Sequence, residues 1–153
     1  MFRLFKSDEA DLPQAYHEVW VEFKPRRIIE HWGMLGEAGD TLTHRIKFFR
    51  SLEDQIEDLL GPARDLGFKE LDEADYGSLV LTTDAHEADA ESLEERCHEA
   101  LGWTGLGHVR DVSDDQISLT IHMRVLRSDL ARPIIVEIAS EVLAGKAFQI
   151  SEE

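Results

Sequence analysis

In the run from Ile117 to Leu126, the apolar residues Ile117, Leu119, Ile121, Met123 and Val125 alternate strictly with Ser118, Thr120, His122 and Arg124. A repeat of two puts the five apolar side chains on one face of an extended strand and the polar ones on the other. Such a strand needs sheet neighbours, and a covering layer on its apolar side. The flanking sequence offers both. Ser78 to Thr83 reads as a short apolar strand. Asp84-Ala85-His86-Glu87 is a capping-box pattern, and Leu93, Cys97, Ala100 and Leu101 form the stripe of a helix behind it. Gly102 to Gly107 ends that helix. His108 to Ser113 pairs with the alternating strand through the turn Asp114-Asp115, and a second helix starts at Ser128 or Asp129, with Leu130, Ile134, Ile135, Ile138 and Val142 as its stripe and Gly145 as its C-cap. Lys146 to Ile150 supplies a last strand. The order βαββαβ predicts a ferredoxin-like split βαβ unit with both helices on one sheet face.

The first half has a different rhythm. Tyr16 to Phe23, Arg27 to Leu35 and Thr41 to Phe49 read as three strands of an antiparallel meander, parted by Lys24-Pro25 and by the glycine-rich stretch Gly33 to Asp40. Ser51 opens a helix with Asp54 as a weak capping-box partner and Leu52, Ile56, Leu59, Leu60 and Ala63 at helical spacing. Gly61-Pro62 predicts a kink or a break in it, and Leu66-Gly67-Phe68 its exit. The acidic stretch from Leu71 to Gly77 is the best boundary. The expected fold class is α+β: an antiparallel sheet with one helix over residues 1–75 and a ferredoxin-like half over 76–153, with packing as a single unit left open.

The glycines of Gly33-Met34-Leu35-Gly36-Glu37-Ala38-Gly39 invite a nucleotide-site reading. A phosphate cradle needs a helix N-terminus after the glycines, and here a strand follows, so a hairpin turn is expected. The same residues carry a resemblance. His31 to Thr41, preceded by an aromatic strand and followed by a strand, a helix and Leu66-Gly67-Phe68, resembles the WGR domain over residues 14–72. Trp32, Gly33, Gly36 and Gly39 match that family's pattern, while Met34 stands where the family has its signature Arg. The resemblance implies a small antiparallel sheet with one helix and, in some members, contact with DNA. On this chain it implies a surface around Trp32, Arg26, Arg27, Arg45 and Lys47.

Charge argues against that ligand. The net charge is −16, from 32 acidic and 16 basic residues, split as −7 over residues 1–75 and −9 over 76–153. Both halves repel phosphate backbones and anionic lipid, so nucleic acid is a disfavoured partner and no membrane role is expected. No apolar run is long enough to span a bilayer, and Met1 to Lys6 turns acidic without a signal-peptide core, which suggests a cytoplasmic protein. The lone Cys97 excludes an internal disulfide and falls on the helical stripe, where a buried inert thiol is expected.

Against this acidic background the cationic clusters stand out. Pairing Val109 with Ile121 would set His108 opposite His122 and Arg110 opposite Thr120, with Arg124 alongside, a face suited to a carboxylate or phosphate. The ordinary reading is a solvated or packed face. Seven histidines show no metal-ligand spacing, and Asp84, His86 and Asp89 sit in a first helical turn where acids are favoured anyway. No pattern calls for a cofactor, and no nucleophile motif is present. The leading expectation is a non-enzymatic binding or adaptor protein for a protein partner or a small anionic ligand. The alternatives are an acidic inhibitor or immunity-type protein for a basic partner, a small enzyme using His108 and His122, and weak DNA binding through the WGR-like half.

Overall fold

The computed structural model describes residues 1–84, 87–114 and 118–152. The chain is α+β and divides into two units, Met1–Leu71 and Asp72–Glu153. That division places three acids, Asp72, Glu73 and Asp75, with the second unit.

The N-terminal unit is a four-stranded antiparallel sheet in the order β1-β2-β3-β4, made of β1 (Phe2–Ser7), β2 (Pro13–Phe23), β3 (Arg26–Met34) and β4 (Asp40–Arg45). It has one strand more than the expected meander. Leu4 and Phe5 of β1 are buried on its opposite faces, so neither face carries the alternation that would have marked a strand. The last strand is also shorter than Thr41 to Phe49. The Gln55 side chain takes the N–H of Lys47 at 2.7 Å and donates to its carbonyl at 3.1 Å, so Lys47 turns away from the ladder after Arg45.

Helix α1 (Leu52–Asp65) starts where expected, the Ser51 hydroxyl accepting from the Asp54 N–H at 3.0 Å. It runs unbroken through Gly61-Pro62, which corrects the expected break. Pro62 lies in the last turn, where it costs one intrahelical donor and has little helix left to disrupt. The exit closes as a Schellman motif: the Phe68 N–H bonds the Ala63 carbonyl, the Gly67 N–H bonds Arg64, and Gly67 takes φ +90°. One face of α1 packs on the sheet, joining Ile56, Leu60 and Ala63 to Leu4, Val19, Ile28 and Ile46.

The second unit opens with a short 3-10 turn at Glu73–Asp75 and continues as β5 (Gly77–Thr83), α2 (Glu87–Trp103), β6 (Gly107–Asp114), β7 (Leu119–Val125), α3 (Ser128–Leu143) and β8 (Phe148–Glu152). Its antiparallel sheet has the order β6-β7-β5-β8, that of a split βαβ unit. The alternating strand is β7. Leu119, Ile121, Met123 and Val125 are fully buried with Leu79 and Leu81 of β5, together with Leu93, Cys97 and Leu101 of α2 and Ala131, Ile135 and Ala139 of α3. Burial pushes the Cys97 thiol up to about 12, with Arg96 pulling weakly the other way, so this is an inert core cysteine. The α3 stripe is rotated relative to the expected one: Ile135 and Ile138 are buried, while Leu130, Ile134 and Val142 are half-buried and Ala131, Ala139 and Leu143 complete the inner face. The proposed capping residues Ala85 and His86, and the turn residue Asp115 with Ile117, lie outside the described residues. No helix among the described residues is long and apolar enough to cross a membrane.

Candidate functional site

Alternation along β2 and β3 sends His17, Val19 and Val21, and Ile28, Glu30 and Trp32, to the sheet face that α1 covers. Towards one end of that face, helix and sheet leave a pocket of about 580 Å³. Its apolar walls include Trp32, Met34, Leu59, Pro62, Leu66 and Phe68, with His17, Glu30 and Asp58 as the polar members. A mainly apolar cavity with a few converging polar groups is the usual form of a ligand site.

The polar floor is assembled across three strands. His17 pairs with Trp32 and His44 with Ile28, which puts Glu30 diagonally between the two histidines. Glu30 Oε1 stands 3.2 Å from His17 Nε2, and Oε2 stands 2.7 Å from His44 Nε2. Three rings converge above this floor. Trp32 lies near-parallel to His17 with centroids 6.4 Å apart, and Phe68 meets His17 edge-on at 6.3 Å. Burial lowers the His17 pKa below its ordinary 6.5, with the Glu30 and Glu18 carboxylates opposing that shift. The imidazole is therefore held neutral in the fold. The unfolded chain binds the extra proton more readily, so stability falls as pH drops from 6.5 towards the folded pKa of His17. In an NMR titration the His17 ring resonance will have its midpoint below 6.5. A midpoint at or above 6.5 contradicts this account of the floor.

The opposite sheet face carries a buried polar network. Glu18, 2% exposed, is paired with Arg3 and lies 3.2 Å from His31 Nδ1. His31 Nε2 donates to the Ala38 carbonyl at 2.7 Å, and Tyr16 Oη donates to that of Glu37 at 3.1 Å. Burial, with Glu18 next, holds the Tyr16 phenol well above its usual range. The glycine motif serves this arrangement as the β3–β4 hairpin. A Cβ on Gly33 would lie 2.7 Å from Gly39 Cα, and one on Gly39 would lie 2.4 Å from the Trp32 carbonyl oxygen. The glycines let two backbones meet over Tyr16.

The residues of the WGR-type surface do not form one patch. Arg26 and Arg27 leave β3 on opposite faces, Arg26 over the Phe48 ring at 5.1 Å and Arg27 bonded to Glu22 at 2.6 Å. Arg45 pairs with Arg27, Lys47 lies beyond the strand, and Trp32 is six residues along β3 from Arg26, roughly 20 Å at strand rise. Trp32 belongs to the pocket instead.

The second expected surface needs a correction of register. His108 pairs with Arg124, Val109 with Met123, and Asp111 with His122. Arg110 is the extra residue of a β-bulge and is paired with Asp111. Hence His108 does not oppose His122, nor Arg110 Thr120. Thr120, His122 and Arg124 do share the half-buried face away from the helices, but acids and an aromatic ring join them. Asp111 Oδ1 is 3.9 Å from His122 Nε2, Arg124 donates to the Glu73 carbonyl at 2.7 Å, and Tyr76 meets His108 edge-on at 6.0 Å. A smaller groove of about 350 Å³ runs between α2 and α3, floored by Ala100, Ile134 and Ile138 beside Trp103 and rimmed by Glu99, Glu137 and Glu141, the last paired with Arg96, which also lines it.

Reading the sequence alone passed over His17 and Glu30. The available signal was a histidine in phase with Val19 and Val21, on the face that alternation assigns to the core. Among the described residues no group of His, Cys, Asp and Glu is arranged to hold a metal ion. Comparison with family models, with curated proteins and with solved structures gave no match.

Proposed function

We propose that this chain is a binding or adaptor protein, and that its N-terminal unit, a WGR-like module by the spacing of Trp32, Gly33, Gly36 and Gly39, receives a side chain of a partner protein in the pocket beside α1. The observation that carries this reading is the pocket itself, where exposed apolar residues surround the rings of His17, Trp32 and Phe68 and the half-buried carboxylate of Glu30. Met34 and Leu66 line it while 48% and 65% exposed, so both can be changed without opening the core. The double variant Met34→Glu, Leu66→Glu should fold normally and lose the partner that wild type retains from a source lysate in high salt. Capture of the same partner by both forms would defeat the proposal. DNA is a poor fit, since the basic residues of the WGR-type surface are dispersed and the chain carries −16.

One observation favours a second reading, capture of a basic partner by the second unit. That unit carries 18 acidic against six basic residues, and Glu99 and Glu137 rim its interhelical groove beside the paired Arg96 and Glu141. Such a complex would weaken steeply with salt, whereas pocket binding would not.

A further inference from the structure

We propose that the pocket of the N-terminal unit recognises a methylated ammonium group. This rests on the reading of the pocket as a binding site and names the chemistry it selects. Two features of the lining point to a cation. Trp32 and Phe68 offer π-systems that attract positive charge, and one cation, Lys6 Nζ, already stands 6.0 Å over the Phe68 ring. The lining contains two carboxylates, Glu30 and Asp58, and no Lys or Arg among the described residues.

A third feature selects the kind of cation. Both carboxylates already have hydrogen-bonding partners: Glu30 has His44, with His17 close by, and Asp58 has Arg50. They still contribute negative potential. Each pairing engages one carboxylate oxygen, so the lining offers Glu30 Oε1 and Asp58 Oδ1, two acceptors for the three N–H donors of an ordinary ammonium. An ordinary ammonium, with three N–H donors to satisfy, would enter at a desolvation cost these groups cannot return. A quaternary ammonium has no N–H donors and a weakly hydrated surface of methyl groups, which suits rings and potential without new hydrogen bonds. The apolar walls formed by Met34, Leu59 and Leu66 would accept the attached alkyl stem.

Choline and its neutral carbon isostere 3,3-dimethylbutan-1-ol test this directly, titrated into the full chain while the Trp32 indole N–H resonance is followed. Choline should bind about tenfold more tightly than the alcohol. Asp58→Asn, a change on the exposed side of α1, should weaken choline and leave the alcohol unaffected. A peptide carrying trimethyllysine, compared with its unmodified lysine form, separates the two sources of the group. Tighter binding than choline assigns it to a partner's side chain, and equal binding to a free small molecule. Equal affinity for choline and the alcohol would overturn the ammonium assignment while leaving an apolar pocket. Failure of every probe to move Trp32 would also overturn the ammonium assignment, whereas the pocket reading beneath it falls only if the Met34→Glu, Leu66→Glu variant keeps its partner.

Discussion

Replacing Gly39 with alanine will destabilise the N-terminal unit by at least about 3 kcal/mol, among the larger effects a single methyl group can produce. Two costs combine. Gly39 sits at φ +64°, where a residue with a Cβ loses about 1 kcal/mol. The new methyl would also lie 2.3 Å from Tyr16 Oη and 2.4 Å from the Trp32 carbonyl oxygen. The phenol could turn aside only by giving up the Glu37 carbonyl, and the Trp32 carbonyl is fixed by its strand. Gly67→Ala is the matched control. Gly67 has φ +90°, and nothing lies within 4 Å of where its methyl would stand, so it carries the strain without the collision and should cost only about 1 kcal/mol. Urea unfolding of the two variants separates these contributions. Equal losses would show that the close approach of the two backbones is not what demands glycine in this hairpin.

The second large effect is expected at Glu18. Its carboxylate is buried, paired with Arg3 on one side and facing His31 on the other. Glu18→Ala removes the acceptor and leaves a polar ring with 1% exposure facing a void, a loss of about 3–5 kcal/mol for breaking a buried ionic cluster from the inside. Arg3→Ala should cost a similar amount, because it leaves the Glu18 carboxylate, 2% exposed, without its cationic partner. Both losses are read from the urea unfolding midpoints of the two single variants at one pH. A loss below about 1 kcal/mol from either would mean that this buried pair is not what holds the face together.

How far the fold was legible follows from where the period of two survives. In β7 it runs unbroken, and strand, face and partner order all followed from it. In β1 it fails, because Leu4 and Phe5 are both buried, one on each face, and the sheet gained a strand that the pattern did not announce. Register was lost at Arg110. The bulge there puts Val109 and Val112, three residues apart, on the same face opposite Met123 and Ile121, an odd spacing that a regular strand would divide between its two faces and that pairing Val109 with Ile121 overlooks. Pro62 illustrates the opposite error, since a residue that breaks a helix in its middle is tolerated near its end.

The pocket was harder to see, for a physical reason. His17, Glu30 and His44 are separated by more than ten residues at each step and meet only through pairing across three strands. Trp32 was singled out from its motif, yet its neighbours could not be, because cross-strand diagonals are set by register. The charge of −16 also gains a location. With the division at Leu71, the N-terminal unit carries −4 and the second unit −12, so most of the acidity belongs to the second unit rather than to the one that holds the pocket.

Recognition at the pocket beside α1 is tested by a two-dimensional NMR comparison of the full chain, free and with the partner retained at high salt. Shifts should cluster at Ala15 to His17, Glu30 to Met34 and Asp58 to Phe68, including the Trp32 indole. Shifts confined to the second unit, with Trp32 unmoved, would contradict it.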